Sequence, residues 1–114
     1  MRIVRDTIAL SELQRLAEER FGDMVKAVVD IDRGVMAVGE GLHADEEAGL
    51  LDDGSRQSDL WGINIYPGDY GSPEWLEFDS MINLRPMQGN RTRSVDDPGT
   101  RLQIVEMLFR MVVS

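Results

Sequence analysis

The sequence predicts an α+β fold: a mainly antiparallel sheet of four to five strands, two longer helices on one face and a short acidic helix. Short runs of alternating apolar residues flank Asp32-Arg33-Gly34, which has glycine where a hairpin turn needs a left-handed residue. Apolar stripes at helical spacing stand near both ends of the chain. The second stripe is announced by Asp97-Pro98, a capping side chain followed by proline at the first helical position.

In chain order, Met1 to Arg5 is a short edge strand. Leu10, Leu13, Leu16, Ala17 and Phe21 then share one helical stripe that Gly22 ends, with either Ser11 and Gln14 as a capping box or Thr7 as an earlier cap. Val25, Ala27, Val29 and Ile31 alternate along a strand, and a three-residue turn over 32–34 places Ile31 opposite Val35 and Val29 opposite Ala37. Both faces of this hairpin are apolar, as in central strands. His43 to Asp53 is the short helix, with Asp45 as N-cap, Glu46 and Glu47 complementing its positive end, and Gly54 as its stop.

Two further strands follow, joined by Pro67 to Pro73. Trp61, Ile63 and Ile65 share a face of the first, and Leu76, Phe78, Ser80, Ile82 and Leu84 share a face of the second. Only one parity of antiparallel register brings these apolar sets to the same side. It sets Ile65 by Leu76 and Ile63 by Phe78 on the inner face. On the outer face stand Tyr66 by Trp75, Asn64 by Glu77, Gly62 by Asp79 and Leu60 by Met81. The final helix carries Leu102, Val105, Leu108, Phe109 and Val112 as its buried stripe.

A chain of 114 residues fits one domain, residues 1–114, and a domain of this size buries roughly 65% of its unfolded surface. The formal charge of −9 repels a phosphate backbone and argues against nucleic acid as a partner. Charge is unevenly spread: Glu40 to Asp59 holds seven acids against Arg56, while Arg85 to Arg101 holds four arginines against Asp96 and Asp97. Without cysteine there is no disulfide, thiol nucleophile or thiolate metal site. The N-terminus has no apolar signal core and no apolar run suffices to span a membrane, so a cytoplasmic location is the default.

Three segments, HADEEAGLLDDGSRQSDLWGINIYP (43–67), EWLEFDSMINLRP (74–86) and GNRTR (89–93), resemble a prokaryotic family known as domain of unknown function 5674. The similarity runs nearly end to end, from FGDMVKAVVDID (21–32) to the closing helix, and a phrase such as DLWGINIYP (59–67) is fairly specific. The resemblance implies a small single-domain protein and brings no activity or catalytic residue with it.

The candidate binding groove lies over Gly62, where a missing side chain opposite Asp79 leaves a gap bordered by Asn64, Tyr66, Trp75, Glu77 and Asn83. Asp79 is the candidate general base there, and Asn64 and Asn83 orient a polar substrate. The plainer account is a solvated sheet face. Arg85, Arg91 and Arg93 flank Gly89 and Asn90 in a basic loop suited to a carboxylate or phosphate; alternatively they pair with acids of the same molecule. His43, Asp45, Glu46 and Glu47 crowd together, but neighbouring helical residues diverge, no metal-site spacing occurs, and an acidic helix start accounts for them: no metal is expected. No cofactor motif is present, Gly39-Glu40-Gly41 is too short for a phosphate loop, and no nucleophile elbow exists. Most methionines are expected as core fillers, Trp61 as buried on the helix side, and Trp75 and Tyr70 as interface anchors.

Two functions follow. The leading one is an interaction module whose polar sheet face, between Trp75 and Tyr66 and rimmed by Arg91 and Arg93, receives a protein partner or a second copy. The alternative is a small enzyme or ligand-binding protein taking an anionic small molecule in the groove around Asp79 and Asn64.

Overall fold

The computed structural model describes residues 1–114. Its elements are β1 (Arg2–Val4), β2 (Ile8–Ala9), α1 (Leu10–Arg20), β3 (Val25–Asp30), β4 (Val35–Val38), α2 (His43–Asp52), β5 (Leu60–Ile65), β6 (Leu76–Glu77), α3 (Pro98–Met111) and β7 (Val112–Val113). Five strands form one antiparallel sheet in the order β1-β4-β3-β5-β6, while β2 and β7 make a short parallel pair. The fold is α+β, as the residue patterning predicted.

Alternation along the strands separates two cores. Val25, Ala27 and Val29 of β3, Met36 and Val38 of β4, and Trp61, Ile63 and Ile65 of β5 face α1 and α3, where Leu13, Ala17, Ile104 and Leu108 close the main cluster. Val28, Val35, Ala37 and Leu60 point the other way and are covered by Leu50 of α2 and by Ile82. The two long helices thus share one face and the acidic helix takes the other, which is not left open to solvent.

Several local expectations are revised. The β3–β4 hairpin pairs Asp30 with Val35 and Val29 with Met36, one residue away from the expected register. Asp30 is the reason: its Oδ1 accepts the N–H groups of Asp32 and Arg33, both at 2.9 Å, and Ser55 Oγ donates to its Oδ2 at 2.6 Å. The turn therefore begins at Asp30 and closes at Gly34, which has φ +69°. Leu42, rather than Asp45, precedes α2, and Ala9 precedes α1, so neither helix has a side-chain cap. Gly22 does end α1, donating its N–H to Ala17 O at 2.7 Å. In α3 Asp97 accepts the Thr100 N–H at 2.9 Å as expected, but the buried stripe is Ile104, Met107, Leu108 and Met111. Flexible methionines fill the core there, and Leu102 and Phe109 turn outward.

The β5–β6 register is the expected one, Asn64 with Glu77 and Ile65 with Leu76. The strand then stops. Ser80 Oγ accepts the Ile82 N–H and starts a single 3-10 turn over Met81–Asn83, so the expected run to Leu84 does not form. Asn83 replaces the missing strand with its side-chain amide: Oδ1 accepts the Gly62 N–H at 2.8 Å, and Nδ2 donates to Gly62 O at 2.9 Å and Arg93 O at 3.0 Å. Asp79 is therefore not the residue paired with Gly62. The space above Gly62 is filled by the crossing chain, since a Cβ there would lie 2.5 Å from Ser80 Oγ and 2.6 Å from Ser80 Cβ.

Gly62→Ala is accordingly expected to cost about 2 kcal/mol through overpacking. A lowered urea midpoint at unchanged slope reads this out. Adding Ser80→Gly relieves the clash, so the double variant should lose less than the sum of the two single losses, and an unshifted Gly62→Ala midpoint would refute the close crossing.

Candidate functional site

Where the chain leaves β6 it forms one wall of a cavity of about 220 Å3, bordered by Lys26, His43, Asn64, Asp79, Ser80 and Arg93, with Leu42, Ala44, Met81 and Ile82 completing it. Three elements meet here. Lys26 of β3 and Asn64 of β5 are register partners on the floor. His43 comes from the first turn of α2. Asp79, Ser80 and Arg93 come from the segment that crosses above Gly62, where the Ser80 N–H donates to Arg93 O at 3.0 Å and ties its two arms together.

Asn64 is 5% exposed. Its Nδ2 donates to Glu77 Oε1 at 2.8 Å and to Asp79 O at 3.3 Å. Those two acceptors fix the amide's orientation, because a flipped amide would turn oxygen against oxygen. The remaining atom, Oδ1, is buried and has no hydrogen-bond partner.

His43 Nε2 lies 2.8 Å from Ile63 O. A carbonyl only accepts, so Nε2 carries the hydrogen and Nδ1 keeps its lone pair. Burial pushes the imidazole below its ordinary pKa; the Ile63 carbonyl opposes this, the Lys26 ammonium reinforces it, and Asp79 and Asn64 oppose it more weakly. The group is a neutral acceptor at neutral pH. Arg93 Nε donates to Asp79 Oδ1 at 2.8 Å in a half-exposed ion pair. Lys26, whose ammonium lies 5.4 Å from the centre of the Phe21 ring, is in no ion pair.

The structure brings Asn64, Asp79 and Arg93 of the expected groove together and rearranges the rest. Gly62 lies under Ser80 and lines no gap. Asn83 is fully buried and serves the backbone. Glu77 stands outside the cavity, orienting Asn64, and Tyr66 OH reaches it at 3.4 Å. Trp75 closes a 3-10 turn (Pro73–Trp75) in place of a strand, so its ring falls on the α3 side, 5.7 Å from Phe109 and 5.0 Å from Tyr70. Arg91 is exposed and its backbone N–H donates to Asp96. Arg85 is also withdrawn, stacked 4.2 Å from the Trp61 ring and donating to Gln57 O and Leu60 O. The loop between them is pinned by Asn90, whose Nδ2 donates to the carbonyls of Asn83, Thr92 and Ser94.

Lys26 and His43 were missed as site residues. They are the only lysine and the only histidine of the chain, and both line this cavity. The available signal was a lone lysine near the start of a strand whose next three residues are apolar. No three His, Asp or Glu side chains converge as a metal site would require, and no helix is long and apolar enough to cross a membrane. The largest depression, about 450 Å3 between α1 and the 66–69 turn, is bordered by Glu18, Asp23 and Asp69, all exposed, and holds no orphaned buried group.

One turn beyond His43, Glu46 is fully buried, with Oε2 accepting the Glu40 N–H at 3.2 Å and Oε1 without a partner. Burial pushes its pKa to about 9, so it is a neutral acid at pH 7. The folded chain thus holds a proton that the unfolded chain releases above about pH 4.5, and this contribution to stability falls as pH rises from there to about 9. Glu46→Gln, neutral throughout, is expected to raise stability at pH 7 by about 3 kcal/mol and to flatten the decline toward pH 9. Urea midpoints at several pH values check both, and parallel curves for the two proteins would disprove it.

A family model described as "Protein of unknown function (DUF5674)" matches residues 2–111. No curated protein and no solved structure matches the chain.

Proposed function

The chain belongs to the DUF5674 family of proteins of unknown function, and we propose that it binds a small polar anion in the cleft between Lys26, His43, Asn64, Asp79 and Arg93. The observation that carries this is the Asn64 Oδ1 atom, buried, fixed in direction and unpartnered. Leaving such an acceptor unsatisfied costs about 1–3 kcal/mol, which a ligand donor recovers. The negative end of the ligand meets Lys26, which has no carboxylate partner, and the terminal nitrogens of Arg93, whose Nε alone is committed to Asp79. A cavity of about 220 Å3 is smaller than the roughly 300–1,000 Å3 typical of drug-sized ligands, which favours a small metabolite. Docking of a protein on the polar sheet face is disfavoured, because α2, Ser80 and Ile82 already cover it.

A second reading, self-association, is favoured by a different surface. Leu102 and Phe109 on the outer side of α3 are 57% and 53% exposed. Phe109 borders an apolar groove of about 340 Å3 floored by Trp75, Leu76, Phe78 and Val105.

Two measurements separate the readings. A thermal-shift screen of small carboxylates and phosphates should reveal a ligand that stabilises the protein by about 3 kcal/mol at 100-fold excess over Kd, with the shift lost in Asn64→Ala. A screen without response, or an undiminished shift in that variant, would dismiss the cleft. Light scattering should report a dimer that Phe109→Glu dissociates if the second reading holds, and a strict monomer ends it.

A further inference from the structure

We infer that the ligand of this cleft is a small zwitterion with a carboxylate at one end and an ammonium at the other, the chemical class of a free α-amino acid. The inference rests on the cleft being a ligand site at all, and it adds the second charge. A site for a simple anion needs donors. This one presents donors and acceptors in comparable number: the donors are the Lys26 ammonium and the Arg93 guanidinium, and the acceptors are Asn64 Oδ1, the His43 Nδ1 lone pair and the Asp79 carboxylate.

Each acceptor is uncommitted for a stated reason. Asn64 Oδ1 has no partner because Glu77 and the Asp79 carbonyl hold the amide nitrogen. His43 Nδ1 is left with its lone pair because Ile63 O engages Nε2. Asp79 gives Oδ1 to Arg93 and keeps Oδ2. An ammonium has three hydrogens to donate and meets three such acceptors here. An alcohol or a single amide N–H would satisfy only one of them.

The cations are equally specific in kind. Among eleven arginines the chain places its single lysine on the cleft floor. A compact ammonium and a guanidinium suit a carboxylate, which takes a point charge on one oxygen and N–H donors on the other. Size agrees, since a cavity of about 220 Å3 admits an amino acid and little more. The neighbouring apolar side chains of Leu42, Met81 and Ile82 offer room for a modest side chain.

Calorimetric titration of the full chain with each of the twenty standard amino acids tests this, followed by the des-amino acid and the decarboxylated amine of any that binds. The expected result is binding of one or a few amino acids, with each truncated analogue weaker by about 100-fold or more, as for a site left with unpaired buried groups. Asp79→Asn should weaken the amino acid by a larger factor than its des-amino analogue, and Lys26→Gln should weaken the amino acid by a larger factor than the amine analogue. Both positions are only half-buried, so these variants are not expected to unfold. A des-amino acid that binds as tightly as its parent overturns the zwitterion and leaves the anion site standing. Binding of another carboxylate or a phosphate, with no amino acid bound, does the same. An amine that matches its parent overturns the anion site as well, as does silence from every amino acid, carboxylate and phosphate tried.

Discussion

The crossing of the chain over Gly62 is the constraint on which the rest depends. A sheet edge needs its N–H and C=O groups satisfied, and β5 would ordinarily receive a full neighbouring strand. Here β6 supplies only Leu76 and Glu77. The next step is taken by one asparagine side chain, a peptide analogue with a donor and an acceptor at the right separation, which bonds both polar groups of Gly62. Because the ladder is completed by a side chain, the backbone is free to rise out of the sheet. It passes close above Gly62 only because no Cβ stands there. That rise carries Asp79, Ser80 and Arg93 over Asn64 and opposite His43, so one substitution of side chain for strand creates the cleft wall.

How far this was legible depends on the range of the interaction. Asn64 against Glu77 followed from alternation and parity, and the α3 start from Asp97-Pro98, because those signals are local. The end of β6 was not legible from alternation: Phe78, Ser80, Ile82 and Leu84 keep a period of two, yet the Ser80 hydroxyl and the Asn83 amide bond the backbone more favourably than a ladder does. The same competition moved the β3–β4 turn, where the Asp30 carboxylate captures two backbone N–H groups. In α3 several faces are apolar, and methionine tipped the choice. His43 was invisible as a site residue because α2 meets β5 only through the tertiary fold; nothing near it in sequence announces Ile63 O.

Asp30 and the three buried asparagines fall into two kinds, those that hold the chain in place and the one that borders the cavity. Asp30 is fully enclosed, yet both its oxygens are engaged. Asn83 spends its oxygen on the Gly62 N–H and its nitrogen on two carbonyls. Asn90 likewise accepts the Asp96 N–H and donates to three carbonyls. These hold loops in place and have nothing left to offer. Of the three buried asparagines only Asn64 retains an idle oxygen, and it is the one that borders a cavity.

The same division runs through the cations. Arg85 lies flat on Trp61 and donates to two carbonyls, and Arg20 reaches Gly39 O. Arg5 and Arg33 converge on Asp53, whose carboxyl they hold down to about 2. The guanidinium fork suits such fixed geometry. Lys26, the second residue of the central strand β3, anchors nothing comparable. Its ammonium lies 5.4 Å from the centre of the Phe21 ring, and its side chain borders the open space shared with His43 and Asn64. A chain that brings eleven guanidinium groups to its other cationic positions sets its one compact, rotatable ammonium-bearing side chain at the border of a cleft with an unsatisfied acceptor, and that is the cation whose geometry is least fixed in advance.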